Sequence, residues 1–210
     1  MIRPKIFLII KEHSERVASK NFKEISKVPL HEYYIRQRSP FDIFIDTDSD
    51  IILEEYSNRK KWPNVVVYER DIKHIAMESE GDVSPAPKMI ERFLNDHIND
   101  ENESIITSHV TSPFLKNDSL FNALKLMNNF NSVSSVKSIQ EFCVFKDGNS
   151  IKPINFNYSS VVKTQSLKPI YVLNGAFFII NKKIFLNNDN KRISNNHYYF
   201  TLSDIESIDI

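Results

Sequence analysis

Short apolar runs of strand length recur along the chain, and most are followed by a stretch with apolar residues at helical spacing. Residues 5–10 read KIFLII, a run without polar alternation, which predicts a strand buried on both faces. A polar loop over residues 11–21 separates it from an amphipathic stretch at 30–37. Residues 41–45 predict a second strand that ends in Asp46, Thr47 and Asp48, with Ser49 placed to cap a helix through 52–56. Residues 64–68 predict a third strand. Residues 87–98 predict a helix, because Met89, Ile90, Phe93, Leu94 and His97 fall on one face. A fourth strand at 104–107, a helix at 118–127 and a further strand at 132–136 continue the rhythm.

Strands that alternate with helices imply right-handed crossovers, and hence a three-layer α/β/α fold with a mostly parallel, Rossmann-like sheet. The rhythm breaks at 142–145 and 151–154, two apolar runs around KDGNS that predict a β-hairpin, since Asp-Gly favours a tight turn. Residues 171–180 resume strand character and 198–202 predict an edge strand. The expected organisation is one domain over 1–210 with a small lobe inserted at 139–170. In an open parallel sheet, ligands bind beyond the carboxyl ends of the strands. Four polar clusters, at 11–21, 46–48, 69–71 and 109–112, sit at such ends and predict one shared site.

Composition narrows the classes. Hydrophobic residues make up 41% and charged residues 26%, as in ordinary globular domains, and 27 Lys+Arg balance 27 Asp+Glu. That balance gives no basic excess of the kind a general nucleic-acid binder carries, so no nucleic-acid partner is expected. Only Gly81, Gly148 and Gly175 occur, against an average near 7%, which excludes clustered-glycine phosphate loops. The single Cys143 excludes an internal disulfide and a Cys-based zinc cluster. Apolar runs fall far short of the ~20 residues that span a bilayer, and no cleavage-site pattern follows the first of them. A cytoplasmic location and no membrane partner are expected.

The loop KEHSERVASKN offers Lys11, Ser14, Arg16, Lys20 and Asn21. Cations and small polar groups spaced along such a loop can wrap a polyphosphate, or can form an ordinary solvated loop. Thr111-Ser112-Pro113 and Asn174-Gly175 both read equally as turns. His109 reads as a structural or a site histidine, Asp46 and Asp48 as caps, and Met77, Met89 and Met127 as core filler.

Taken together, these segments resemble the acylneuraminate cytidylyltransferases, whose signature reads A-R-x-x-S-K-G-[LI]-x-x-K-N. Ser14 and Lys20-Asn21 match it; Lys11 stands for the usual Arg, and Glu15-Arg16 for Lys-Gly. Further along, DIFIDTDSDII resembles the family's second strand and its T-D. VVVYERD places Arg70 where the family has an Arg, and EGDVSPAP puts Asp82 and Ser84 at matching positions. IITSHVTSPF resembles Q-P-T-S-P-L, with His109 for Gln and Thr111-Ser112-Pro113 intact. TQSLKPIYVLNGAFFII resembles R-Q-x-L-P-x-x-x-x-x-N-G-A-x-Y-I, matching Gln165, Leu167, Asn174, Gly175 and Ala176. ESIDI resembles the start of S-I-D-I-D, matching Asp209.

The resemblance implies a sheet of the nucleotide-diphospho-sugar transferase type and transfer of CMP from CTP to the anomeric hydroxyl of a nine-carbon sugar acid, with pyrophosphate released and Mg²⁺ as cofactor. T-S-P and N-G-A favour sialic, legionaminic or pseudaminic acid over the eight-carbon acid. Lys11, Lys20 and Asn21 would be catalytic. Lys11, Ser14, Arg16, Asn21, Arg70, Asp82 and Ser84 would hold the nucleotide, and His109, Thr111, Ser112, Gln165 and Asn174 the sugar. Asp209 would bind the metal; the family's second Asp falls beyond Ile210, and Asp204 with Glu206, also two apart, is a substitute pair. The lobe at 139–170 would carry a homodimer contact. Two other outcomes stay open: a nucleotide-sugar binding protein without catalysis, and a nucleotidyltransferase for another sugar.

Overall fold

The computed structural model describes residues 3–14, 17–79, 84–160 and 162–210. In chain order the elements are strand β1 (Lys5–Ile10), β2 (Glu24–Ile25), β3 (Val28–Pro29), helix α1 (Leu30–Arg36), β4 (Asp42–Thr47), α2 (Asp50–Ser57), β5 (Val65–Glu69), α3 (Ile72–Ser79) and α4 (Ala86–His97). There follow β6 (Ser104–Ser108), α5 (Asn117–Leu126), β7 (Ser132–Ile139), β8 (Val144–Asp147), β9 (Ser150–Pro153), β10 (Ile170–Asn181), α6 (Lys182–Leu186) and β11 (His197–Thr201).

Seven strands form the central sheet in the order β11-β7-β10-β6-β1-β4-β5. Each of β4 and β6 pairs parallel with β1, β5 with β4 and β11 with β7; β10 runs antiparallel to both β6 and β7. The expectation of a mostly parallel α/β sheet is met. The carboxyl ends of β1, β4, β5 and β6 therefore lie along one edge, where the functional loops emerge.

The continuous apolar run of β1 is buried on both faces because a core lies on either side. On one side Ile6, Leu8 and Ile10 pack with Ile43, Ile45, Tyr34, Ile106 and Phe177. On the other, Phe7 and Phe44 meet Met89, Ile90, Phe93 and Leu94 of α4, with the Phe7 and Phe93 rings stacked at 4.7 Å. Each such side chain contributes about 1.5–3 kcal/mol by leaving water, so α4 is anchored firmly with its first turn at the carboxyl edge.

Three local features depart from the sequence reading. The hairpin β2–β3 turns through Ser26 (φ 52°) and Lys27 (φ 66°), without the Asn-Gly or Asp-Gly that would have signalled it. Helix α3 falls in a stretch left unassigned by the hydrophobic pattern. Ser49 precedes α2 as expected, but its side chain makes no capping hydrogen bond; the Ser49 N–H donates to Thr47 Oγ1 instead, at 3.2 Å.

Between β7 and β10 lies the lobe region. Hairpin β8–β9 closes through Gly148-Asn149, with Gly148 at φ 56°, and both strands are exposed on nearly every residue. The outer ends of β7 and β10, Val136–Ile139 against Ile170–Leu173, extend past the sheet edge toward it. Among the described residues, no helix is long and apolar enough to cross a membrane.

Candidate functional site

A pocket of about 430 Å³ opens at the carboxyl edge, lined by Ile9, Lys11, Ser14, Val17, Lys20, Asn21, Ser84, Ala86, Met89, His109, Thr111, Asn174, Gly175 and Asp209. Its walls come from the β1 loop, the start of α4, the end of β6, the bend of β10 and the segment after β11. Residues far apart in sequence meet here because every one of these segments leaves the same sheet edge.

The β1 loop is shaped from within. Asn21 is buried, and its Nδ2 donates to the Lys11 carbonyl at 2.8 Å, closing the loop on itself. Ser19 sits in the left-handed region (φ 49°, ψ 37°) directly before the 3-10 turn at Lys20–Phe22. A non-glycine residue held there costs of order 1 kcal/mol, a strain located where the loop turns Lys20 toward the pocket. Lys20 Nζ lies 3.8 Å from Asp209 Oδ2, a pairing of the loop with the C-terminal segment across the pocket mouth.

The base of this loop is fixed by Arg70, whose guanidinium is fully buried. Arg70 Nε donates to Asp46 Oδ1 at 2.7 Å, Nη1 to Asp48 Oδ2 at 3.3 Å, and Nη2 reaches the Ile10 and Asp46 carbonyls at 3.4 Å. Asp48 Oδ1 in turn accepts the Glu12 N–H at 2.8 Å. Burial pushes the Asp46 carboxyl up, and the hydrogen bond and charge of Arg70 pull it back only in part. The guanidinium thus ties β1, β4 and β5 together beneath the loop and does not line the pocket, in contrast to the nucleotide-binding place expected for it.

His109 follows β6 and lines the pocket. Burial, the charge of Arg192 and that of Lys20 lower its pKa to about 4 against an opposing pull from Asp209. The imidazole is therefore neutral at neutral pH, with one nitrogen able to donate a hydrogen bond and one to accept. The Thr111 carbonyl accepts the Ile210 N–H at 3.0 Å, which brings Asp209 to the pocket. Ser112 is buried in the turn, its N–H on the His109 carbonyl, and is not among the lining residues.

Asn174 and Gly175 form an irregularity in β10. Between the pairs Val136–Leu173 and Ser134–Phe178, Ser135 alone faces the extra residues. Its Oγ donates to Asn174 Oδ1 at 2.6 Å and accepts the Phe177 N–H at 3.0 Å. Gly175 takes φ 71°, a conformation that glycine adopts without a steric penalty. The Asn174 Oδ1 also receives the Ala176 N–H at 3.3 Å, while its Nδ2 has no hydrogen-bond partner among the described residues. That is an unspent donor at the pocket wall.

Of the residues singled out from sequence, Lys11, Ser14, Lys20, Asn21, Ser84, His109, Thr111, Asn174 and Asp209 are brought together at this pocket. Gln165 is exposed in the 3-10 turn Thr164–Ser166, where its carbonyl accepts from Gln140, and it does not reach the pocket. Arg16 and Asp82 lie outside the described residues. The substitute carboxylates do not come together: Asp204 is exposed near Lys137, and Glu206 is buried beneath α5. Burial works against the Glu206 charge, but hydrogen bonds from Ser119 Oγ, the Lys116 N–H and Ser203 Oγ outweigh it and hold its pKa low. Sequence reasoning missed Ser135, Arg192 and the apolar wall of Ile9, Val17 and Met89. The Ser-rich SVSS of β7 was the one available signal.

No protein-family model matches the chain. N-acylneuraminate cytidylyltransferases of Streptococcus agalactiae serotypes III, Ia and V are each 28% identical to it over 155 residues, covering 69% of this chain and 34% of theirs. The chain thus spans about a third of the length of the curated relatives it matches. A 4-diphosphocytidyl-2C-methyl-D-erythritol synthase from Anaerococcus prevotii superposes with TM-score 0.65 at 9% identity, covering 99% of this chain and 90% of that one. A CMP:2-keto-3-deoxy-manno-octonic acid synthetase complexed with CTP superposes with TM-score 0.61 at 10% identity, covering 95% and 90%. The chain resembles N-acylneuraminate cytidylyltransferases in sequence and shares the fold of these solved synthases.

Proposed function

We propose that this chain is a cytidylyltransferase, moving CMP from CTP to the anomeric hydroxyl of a nine-carbon 2-keto sugar acid and releasing pyrophosphate. What carries the reading is one pocket that gathers Lys11, Ser14, Lys20, Asn21, His109, Thr111 and Asn174 from separate segments, in a chain that resembles N-acylneuraminate cytidylyltransferases.

In the reaction the anomeric oxygen bonds to the α-phosphorus while the bond from that phosphorus to the leaving pyrophosphate oxygen breaks, and the hydroxyl proton is lost to solvent. Negative charge grows on the non-bridging and leaving oxygens, so cations already in place lower the barrier. Lys11 and Lys20 supply that charge without a glycine cradle. Ser14 and Ser84, with the first turn of α4 at the pocket, offer further donors to phosphate or ribose. Asn21 acts by holding the loop closed on the Lys11 carbonyl. The neutral imidazole of His109 accepts a hydrogen bond from the attacking hydroxyl and orients it; a pKa of about 4 suits that role better than proton abstraction. Thr111 and the unspent Asn174 Nδ2 bond sugar hydroxyls.

Mg²⁺ fits this donor set through Asp209, the acidic side chain among the described lining residues. Mg²⁺ is usually held by one or two carboxylates together with substrate phosphates, and no described cluster of three or more ligands is needed for it. Bound there, it would supply further neutralisation of the triphosphate. Because Asp209 faces Lys20 within 3.8 Å, a second reading is binding of CTP without transfer.

Calorimetry should detect CTP binding to the protein with Mg²⁺, and pyrophosphate release should depend on a nine-carbon sugar acid. Absence of CTP binding would sink the proposal. Binding without pyrophosphate release from any such acid would select the second reading.

The chain also acts, we infer, as a homodimer joined through the lobe. Phe142, Phe145, Ile151, Ile154 and Tyr171 are each about half exposed there (47%, 58%, 56%, 55% and 55%), an apolar surface that a monomer would leave in water. Light scattering is expected to give twice the chain mass, and a monomeric mass would remove this part of the proposal.

A further inference from the structure

A partly buried cation, Arg192, lies near the pocket. Arg192 lies between α6 and β11, with its guanidinium carbon 4.0 Å from the centre of the Phe178 ring. Among the described residues it has neither an acidic partner nor a hydrogen-bond acceptor, although burial is deep enough to pull its pKa down. A partly buried guanidinium with no counter-charge is open to pairing with an anion.

The loop that presents Arg192 is built to hold it. Asp189 and Asn190 are both left-handed, at φ 51° and 58°, which turns the chain sharply after α6. Asn188 Nδ2 donates to the carbonyls on either side of Arg192, at 3.1 Å to Lys191 and 2.8 Å to Ile193. Asn190 Nδ2 reaches Glu91 of α4 at 2.9 Å, and the Ser194 N–H reaches Ser132 of β7 at 2.9 Å. The side chain is thus fixed over the sheet rather than trailing in solvent.

Its place relative to the pocket follows from register. Phe178 pairs with Thr107 across β10 and β6, and His109 comes two residues after Thr107, so it leaves the strand on the same face. Arg192 therefore lies on the same sheet face as His109, which feels its charge, on the β10 side of the pocket though not among its lining residues, with Lys11 and Lys20 on the β1 side.

We propose that Arg192 anchors the carboxylate of the acceptor sugar acid, a proposal that rests on the cytidylyltransferase reading above. In a 2-keto sugar acid the carboxylate is bonded to the anomeric carbon itself. Whatever holds the carboxylate must stand near whatever orients the anomeric hydroxyl, and Arg192 shares the sheet face of His109. A planar guanidinium binds a carboxylate through two parallel hydrogen bonds. Triphosphate, by contrast, has its cations on the far side of the pocket. Arg192 would thereby select acids over neutral sugars and fix which face of the anomeric carbon meets the α-phosphorus.

The test uses the full chain with CTP and Mg²⁺, and N-acetylneuraminate, legionaminate and pseudaminate as acceptors. For the acid that the wild type turns over, Arg192→Met should raise KM about 100-fold while leaving CTP affinity unchanged. Since the substitution removes an unpaired, partly buried charge and keeps apolar packing on Phe178, the thermal midpoint should hold. Arg192→Lys should recover part of the loss. The wild type should reject the C1 amide of that acid, and Arg192→Met should no longer tell acid from amide. A KM change below about threefold with CTP binding intact would overturn the assignment. If Arg192→Met does not fold, the wild type decides: turnover of the amide as fast as the acid overturns it. A wild type that binds no CTP, or releases no pyrophosphate with any of the acids, fails on the cytidylyltransferase reading itself and is recognised by that.

Discussion

Replacing Lys20 with alanine is expected to lower kcat/KM for pyrophosphate release by about 10²–10³-fold, the usual cost of one well-placed electrostatic donor. Lys20 is the cation that the loop strain at Ser19 turns toward the pocket, and its side chain is only 17% exposed. Its one acidic neighbour among the described residues, Asp209 at 3.8 Å, is half exposed, so the pair contributes no more than about 1 kcal/mol to folding. Urea unfolding should therefore leave the midpoint close to wild type. Steady-state kinetics within tenfold of wild type, on a folded protein, would remove Lys20 from the machinery.

The opposite signature is expected for Arg70. Arg70→Met should destabilise the fold by about 3–5 kcal/mol, because it strands the buried Asp46 carboxylate without its counter-charge. Pairing it with Asp46→Leu should recover much of that loss, since two apolar side chains need no compensation. Urea unfolding of the single and double variants measures both. The motif resemblance pointed instead to a nucleotide contact. A single variant that keeps wild-type stability but loses CTP binding would restore that role.

The contrast between these two cations explains much of what could be read in advance. Both follow a strand in a polar cluster, and both match a family motif. Their difference lies in who faces them: Asp46, two residues from Asp48 and buried under the sheet edge, claims Arg70, whereas the partly exposed Asp209 only approaches Lys20. Linear spacing carries no record of that choice. Glu206 is a similar case. Two residues from Asp204, it looked equivalent to it, yet three donors, the Lys116 N–H just before α5, Ser119 Oγ within it and Ser203 Oγ after β11, hold it as a cap.

Left-handed turns were legible only where glycine marked them. Gly148 announced hairpin β8–β9, and Gly175 the bend of β10. Ser26, Lys27, Asp189 and Asn190 adopt left-handed backbone without that signal. In so glycine-poor a chain, tertiary contacts hold these residues where local preference does not. Arg192 stayed hidden for that reason, since the turn that presents it is written in Asp189-Asn190 and fastened by Asn188.

The strand and helix frame was readable because it rests on period and burial. KIFLII can only be a strand covered on both faces, and the α4 pattern can only present one apolar stripe. Parallel order followed from that alternation, and with it the edge at which the loops gather. The sequence by itself therefore determined the layers, the edge and most of the residues found there. Which charges are spent on the fold and which are left for a ligand was decided by the tertiary structure. Burial sets the cost of an unpaired charge, and burial exists only once distant segments have packed.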